Sequence, residues 1–164
     1  MNSAAGDPLK VLFLDTSALV RRYVNGSGRQ LVLSAMAEAD AWCASAICRS
    51  EVMLALRQLV VHPRQQGTLW SNFREDWAAF WVVPVDGRCL AAAVDIGAAY
   101  GLRTVDAVHL AAAERLPRPL RFATFDRRQI PAAAGLGFEV VSLLAASGER
   151  VSPVSRSPIP GRHR

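Results

Sequence analysis

Four acidic residues have the type and spacing to form one chemical site. Asp15 follows the apolar run VLFL, and Asp126 follows the run RFATF. Glu51 and Asp106 each lie near the start of a stretch with helical spacing. If both runs are strands of one parallel sheet, the four side chains reach the same edge, where open α/β sheets bind ligands. A cluster of carboxylates at that edge would hold hard divalent cations, which take oxygen ligands and act on phosphates.

Three of these acids also have a purely structural interpretation. Asp15 could cap the helix that follows it, and Asp126 could form a turn or a helix cap. Asp106 lies in the first turn of its helix, where the helix dipole favours an acid. Asp86 also ends an apolar run, WVVPV, but it opens a long helical stretch and is interpreted as a cap. The prediction of a site therefore depends on the convergence of the four acids.

Glu51 is the acid that a structural role explains least well. Helical spacing places it on the same face as Leu54, which we expect to point towards the core. A glutamate is rarely buried without a partner, so a metal ion or a buried arginine is needed there. His109 is a helix neighbour of Asp106 and could donate to the site. We interpret this histidine as a core residue whose hydrogen bonds are satisfied.

The elements that must position these acids follow an alternating pattern. Apolar, β-prone runs alternate with stretches of helical spacing, which predicts an α/β fold with a mainly parallel sheet of about five strands covered on both faces. The predicted strands are residues 11–14, 41–44, 81–85, 121–124 and 138–141. The predicted helices are residues 17–24, 28–39, 47–61, 67–80, 88–100 and 105–114.

Length and charge indicate one folded domain with a basic tail. We expect a loose lead-in at residues 1–9, a folded domain at 10–146 and a disordered tail rich in Pro and Ser at 147–164. The tail holds four arginines and one glutamate, a net +3 of the chain's +5. The folded part is then only mildly basic, so its charge permits a nucleic-acid partner without requiring one.

Composition excludes several other classes of protein. No apolar run is long enough to cross a membrane, and the first residues lack the pattern of a signal peptide. The three cysteines form no CxxC pair, so neither a disulfide framework nor a zinc site is indicated. No Walker-type GKS or GxGxxG motif follows a strand. We expect a cytoplasmic protein without membrane association.

Four segments containing the acids appear in a recognisable order. They are FLDTSALVRRYV at 13–24, SEVMLAL at 50–56, GLRTVDAVHLAAA at 101–113 and FATFDRR at 122–128. With these segments the chain resembles PIN-domain ribonucleases, and most of all the VapC toxins of bacterial toxin–antitoxin pairs, over about residues 10–145. The resemblance implies a three-layer α/β/α PIN-like fold. It also implies that Asp15, Glu51, Asp106 and Asp126 are the family's acidic quartet, with Ser17 and Thr124 as polar support.

The resemblance further implies an activity and its partners. Such proteins are Mg²⁺- or Mn²⁺-dependent endoribonucleases that form homodimers and are silenced by a cognate antitoxin filling the active-site groove. We assign direct metal contact first to Asp15 and Asp106. Glu51 and Asp126 would bind a second ion, bind through water or position the nucleophile. The arginines that flank the expected pocket and could bind RNA phosphates are Arg21, Arg22, Arg127 and Arg128.

Two other functions are compatible with an aspartate at the end of the first strand. The first is a catalytically silent module of the same fold that binds RNA or protein. The second is phosphoaspartyl chemistry, which in haloacid-dehalogenase-like phosphatases needs a second aspartate at the position of Ser17 and a lysine further along the chain. The sole lysine, Lys10, begins the first strand at the opposite edge, so this second alternative is disfavoured.

Overall fold

One parallel sheet of five strands organises the chain. The computed structural model describes residues 6–143, so the predicted tail at 147–164 lies outside the described residues. All four strand pairings are parallel, and the strand order is β3-β2-β1-β4-β5. The strands are β1 (Val11–Leu14), β2 (Ala41–Ser45), β3 (Trp81–Val83), β4 (Leu120–Ala123) and β5 (Glu139–Val141).

Seven helices connect the strands within the described residues. They are α1 (Thr16–Tyr23), α2 (Arg29–Glu38), α3 (Cys48–Leu59), α4 (Pro63–Trp77), α5 (Gly87–Tyr100), α6 (Thr104–Ala113) and α7 (Gln129–Gly135). Six of them coincide with the predicted helical stretches. The exception is α7, which the sequence did not reveal because it has only seven residues and contains Pro131. No helix among residues 6–143 has the length and apolarity needed to cross a bilayer.

The central strand β1 divides the core into two layers. Its side chains alternate, so Phe13 points to one face of the sheet while Leu12 and Leu14 point to the other. Phe13 packs in a cluster with residues of α5, α6 and α7. Leu12 and Leu14 pack in a second cluster with residues of α1, α2, α3 and α4. This arrangement confirms the predicted three-layer α/β/α fold.

The carboxyl ends of β1 and β4 meet at one edge of the sheet. The two strands pair in parallel with Leu14 opposite Ala123, and the backbone N–H of Asp15 donates to the carbonyl of Ala123 over 3.1 Å. The chain leaves β1 towards β2 on one side, whereas β4 lies on the other side. Such a reversal of strand order leaves a crevice at the edge of an open α/β sheet, which is the usual place for a ligand.

Candidate active site

A cavity of about 480 Å³ lies at this edge and is lined by all four predicted acids, Asp15, Glu51, Asp106 and Asp126. We call it the acidic cleft. Other polar residues that line it are Thr16, Ser17, Arg21, Arg103, His109 and Gln129. The parallel sheet explains this convergence, because Asp15 directly follows β1 and Asp126 follows β4 by three residues.

Asp15 is buried and surrounded by hydrogen-bond donors. It caps α1 by accepting from the backbone N–H of Ala18 over 2.9 Å, so the structural and chemical interpretations of this residue are both compatible with its position. Its carboxylate also accepts from the hydroxyls of Ser17 and Thr124, each over 2.7 Å, and from Nε2 of Gln129 over 2.9 Å. Burial nevertheless raises the pKa of Asp15 above its ordinary value, because the low-dielectric interior disfavours the charge.

Glu51 accepts two hydrogen bonds at one oxygen. The Thr16 hydroxyl donates to Oε2 over 2.6 Å, and Nε2 of His109 lies 2.7 Å from the same atom. Nδ1 of His109 lies 2.9 Å from the hydroxyl of Ser45. Partial burial alone would raise the pKa of Glu51, but the hydrogen bonds from His109 and Thr16 outweigh it and hold the pKa below its ordinary value.

The structure corrects one interpretation of this region and extends another. Leu54 is 60% exposed, so the face shared with Glu51 does not point to the core as expected. The buried stripe of α3 is instead Cys48, Val52 and Leu56, which places Glu51 at the border between core and cleft. His109 is buried with a hydrogen-bond partner at each ring nitrogen, as expected of a core residue, and because one partner is Glu51 it also contacts the site.

Asp106 and Asp126 both form ion pairs with the guanidinium of Arg103. Nε of Arg103 lies 3.1 Å from Oδ2 of Asp106, and Nη2 of Arg103 lies 3.7 Å from Oδ2 of Asp126. The arginine side chain is 69% exposed. Oδ1 of Asp126 accepts from the backbone N–H of Arg128, which is the turn anticipated as its structural role.

Sequence reasoning missed Arg103 and Gln129. The signal for Arg103 was its position three residues before Asp106, where an opposite charge on a helix forms a pair. Gln129 lies in the helix that was not predicted, and its Nε2 contacts Asp15 over 2.9 Å and Asp106 over 3.4 Å. Its Oε1 is buried without a hydrogen-bond partner among the described residues.

The arginines proposed for RNA contact occupy different environments. Arg22 donates to both carboxylate oxygens of Asp76, over 2.7 and 3.1 Å, and lines another cavity. Arg21 does line the acidic cleft, with its guanidinium 4.0 Å from the centre of the Phe125 ring. Arg127 and Arg128 are exposed next to Asp126. The geometry therefore favours Arg21 and Arg103 over Arg22 as contacts for a ligand of the cleft.

The carboxylates are separated by protein groups. Within residues 6–143, no three or more His, Cys, Asp or Glu side chains are arranged to hold a metal ion. The reason is that Gln129 bridges Asp15 and Asp106, while Arg103 bridges Asp106 and Asp126. The available donors are carboxylate oxygens and the unpartnered Oε1 of Gln129, which are the hard ligands that Mg²⁺ and Mn²⁺ prefer. The chemistry of these donors suits such an ion, whereas in this structure Arg103 holds two of the carboxylates.

Known proteins share this sequence pattern. A family model described as PIN domain matches residues 12–135. Ribonuclease VapC46 of Mycobacterium tuberculosis (strain ATCC 25618 / H37Rv) is 33% identical over 135 residues, which cover 82% of this chain and 98% of the relative. Ribonuclease VapC49 of the same strain is 29% identical over 140 residues, covering 80% of this chain and 95% of the relative.

Solved structures share the fold at lower sequence identity. FitAcB from Neisseria gonorrhoeae superposes with a TM-score of 0.63 at 18% identity, covering 79% of this chain and 95% of the other. A toxin–antitoxin complex from Klebsiella pneumoniae superposes with a TM-score of 0.59 at 23% identity, with the same coverage of both chains. At this level of identity the likeness establishes the fold of the described residues.

Proposed function

The chain belongs to the PIN domain family, with VapC ribonucleases among its relatives, and we propose that it is a divalent-metal-dependent endoribonuclease acting in the cytoplasm as the toxin of a toxin–antitoxin pair. The observation that carries this proposal is the convergence of Asp15, Glu51, Asp106 and Asp126 on one cleft at the carboxyl edge of the sheet. The ribonuclease names of relatives that match nearly their whole length support the activity.

The acids of the cleft divide into two tasks. Asp15 and Asp106 lie on either side of the Gln129 amide, and we assign them direct contact with Mg²⁺ or Mn²⁺. Glu51 and Asp126 would hold a second ion, bind through water or orient the attacking water. A bound divalent ion would supply Lewis-acid stabilisation of the charge that develops on the scissile phosphate and would lower the pKa of water.

The protein's own residues orient the acids and the substrate. Ser17, Thr124 and Gln129 fix the carboxylate of Asp15, so that its direction is set before any ligand arrives. Arg21 and Arg103 line the same cleft and offer guanidinium groups to RNA phosphates. Hydrolysis adds water across a P–O bond, and Glu51 and Asp126, whose side chains are partly exposed in the cleft, are suited to orient that water.

An RNA cleavage assay tests the proposal. Purified protein is incubated with total cellular RNA in Mg²⁺ or Mn²⁺, with and without excess chelator. We expect Asp106→Asn to reduce cleavage by at least about a hundred-fold, because it weakens a direct metal contact while preserving shape. The matched control is Asp95→Asn, the same change at an exposed position of α5 outside the cleft, which should retain activity.

Two outcomes of this assay would contradict the proposal. Full activity of Asp106→Asn, or cleavage that persists in chelator, would exclude metal-dependent catalysis by the acidic cleft. Metal-independent RNA binding without cleavage would instead support the silent RNA- or protein-binding module. A folded wild-type protein free of antitoxin is required in each case, and its thermal unfolding transition verifies the fold.

The proposed partners are an antitoxin and a second copy of the chain. Apolar side chains near the end of α3 are exposed, with Leu54 at 60%, Leu59 at 59% and Val61 at 88%, and Leu59 lines the acidic cleft. Such a surface beside the site suits a protein that covers it. The aromatic side chains from α4 to β3 divide between core and surface, since Phe73 and Phe80 are buried whereas Trp81 is 55% exposed. Co-purification with the product of a neighbouring gene, and light scattering, test the two partners.

A further inference from the structure

A buried chain of hydrogen bonds links strand β2 to the acidic cleft. Ser45 ends β2 and is fully buried, and its hydroxyl lies 2.9 Å from Nδ1 of His109. His109, on α6, is 1% exposed, and its Nε2 lies 2.7 Å from Oε2 of Glu51 on α3. The histidine therefore connects the sheet to an acid of the cleft through both of its ring nitrogens.

The chemistry of the partners fixes the direction of these bonds. An ionised carboxylate only accepts hydrogen bonds, so Nε2 of His109 carries the hydrogen directed at Glu51. In the neutral imidazole Nδ1 is then an acceptor, and the Ser45 hydroxyl donates to it. The tautomer is thus set by Glu51, and Ser45 accommodates it and helps to orient the ring, which is the usual function of a group bonded to the remote nitrogen of a functional histidine.

The arrangement leaves one oxygen of Glu51 for a ligand. Both hydrogen bonds, from His109 and from Thr16, are accepted by Oε2. Oε1 has no hydrogen-bond partner among the described residues, and the side chain is 31% exposed at the cleft. One oxygen is thus anchored by the protein while the other is available to a cation or to water.

We propose that His109, oriented by its hydrogen bond with Ser45, is a positioning residue that anchors Oε2 of Glu51 and presents Oε1 to the acidic cleft. The proposal rests on the proposed function, because Glu51 must act on an RNA phosphate or its metal ion for the anchoring to affect catalysis. Burial and packing alone would not require a hydrogen-bond donor at this point of α6, since its neighbours Val108 and Leu110 are buried without one.

Two amide variants separate positioning from packing. In His109→Gln the side-chain Nε2 lies the same number of bonds from Cα as the histidine Nε2, so the donor to Glu51 is retained. In His109→Asn the amide corresponds to Nδ1, so the contact with Ser45 is retained and the donor to Glu51 is lost. Both variants are neutral, polar and smaller than histidine, which makes each the control for the other.

We expect the asparagine variant to lose about ten- to hundred-fold in kcat, as for the loss of a hydrogen bond to a charged group. The glutamine variant should stay within about ten-fold of the wild type. Mn²⁺ affinity, measured by titration calorimetry without RNA, should follow the same order. The Tm of thermal unfolding should fall by a similar amount in both variants, because both leave unfilled space in the core.

The inference is overturned if His109→Asn retains as much activity and Mn²⁺ affinity as His109→Gln, whether both variants lose or both keep them. That result would assign the histidine to packing alone. A wild-type protein that does not cleave RNA would contradict the proposed function instead. In that case the order of the two Mn²⁺ affinities still decides whether His109 holds Glu51 in a cation-binding orientation.

Discussion

Replacing Asp15 with asparagine should abolish cleavage and, at the same time, make the metal-free protein more stable. The substitution preserves the shape of the side chain and removes a charge that is 1% exposed. If the cleft binds a cation as proposed, this charge is kept buried at the expense of the free energy of folding. The two effects of one mutation are therefore expected to have opposite signs.

The surrounding groups can accept the new amide. Asparagine caps a helix as well as aspartate does, so its oxygen keeps the bond from the backbone N–H of Ala18. Its nitrogen takes the place of Oδ2, beside the Thr124 hydroxyl and the amide of Gln129. The hydroxyl can rotate to accept. A half-turn of the Gln129 amide directs its unpartnered Oε1 towards the new donor.

The magnitude follows from two opposing contributions. Replacing a buried ion pair by well-packed neutral residues is often neutral or stabilising by about 1–4 kcal/mol, and we apply this range to Asp15 because its buried charge is held by neutral donors. Hydrogen bonds to a neutral amide are weaker than those to a carboxylate, which subtracts about 1 kcal/mol. The expected net gain is about 1–2 kcal/mol, or a rise of roughly 3–8 °C in Tm for a domain of this size.

The pH dependence gives the sign of the charge effect. Burial raises the pKa of Asp15 from its ordinary value of 3.8, so the folded protein holds a proton over a range where the unfolded chain has lost it. The stability of the wild type therefore falls as the pH rises from about the unfolded pKa through the higher folded pKa. Asp15→Asn has no carboxyl group at this position, so this loss of stability with rising pH is absent. The difference between the two proteins should vanish in strongly acidic solution and be fully present above the folded pKa.

Scanning calorimetry in chelator, from acidic to neutral pH, measures this difference. Asp95→Asn, at an exposed position, should leave Tm unchanged and controls for the substitution itself. Adding Mn²⁺ should stabilise the wild type more than the Asp15 variant, because ligand binding adds to stability by mass action. A variant that melts below the wild type at neutral pH in chelator would show that the Asp15 charge is stabilising and would refute the reasoning.

Two further substitutions probe the cleft and its surroundings. Arg103→Gln should tighten Mn²⁺ binding by about two- to five-fold, because the arginine no longer competes for Asp106. Titration calorimetry measures this affinity, and an unchanged value would contradict the competition. Gly28→Ala should destabilise the protein by about 1–3 kcal/mol in urea unfolding, since Gly28 has φ +83° and a Cβ there would lie 2.5 Å from the Phe125 ring. Gly67→Ala, in open space on α4, should instead be neutral or stabilising, and equal effects at both glycines would refute the steric argument.

The convergence of the acids was predictable because all strands of a parallel sheet end at the same edge. Residues that follow its strands emerge at one edge, so Asp15 and Asp126 could be placed together from two apolar runs alone. The same rule nominated Asp86, and helix periodicity resolved that case correctly, since Asp86 caps α5 through the backbone N–H of Cys89. The strand and helix patterns of the sequence were therefore sufficient to predict most of the fold.

The hydrogen-bond and ion-pair partners of the acids were less predictable, because they depend on how closely separate helices and strands approach one another. Nothing local in the sequence indicates that Gln129 reaches both Asp15 and Asp106, since its helix is short and contains a proline. His109 looked like a core residue because burial of a histidine is common, and only the folded structure shows its contact with Glu51. Arg103 was missed because exposed arginines are frequent, whereas Arg21 was named in advance and does line the cleft.

The four carboxylates are held by two different kinds of partner. This difference predicts which part of the cleft changes when a divalent cation binds. Asp15 and Glu51 are held by buried neutral donors, such as Thr124 and His109, which cannot leave without opening the core. Asp106 and Asp126 instead face a guanidinium whose side chain is 69% exposed and can turn into solvent without leaving a cavity. If the cleft binds a divalent cation as proposed, Asp15 and Glu51 should keep their orientation, and the change should be confined to Arg103 and its two carboxylates. The freed guanidinium would remain beside the site, where the phosphates of RNA are the natural replacement for the carboxylates it has lost.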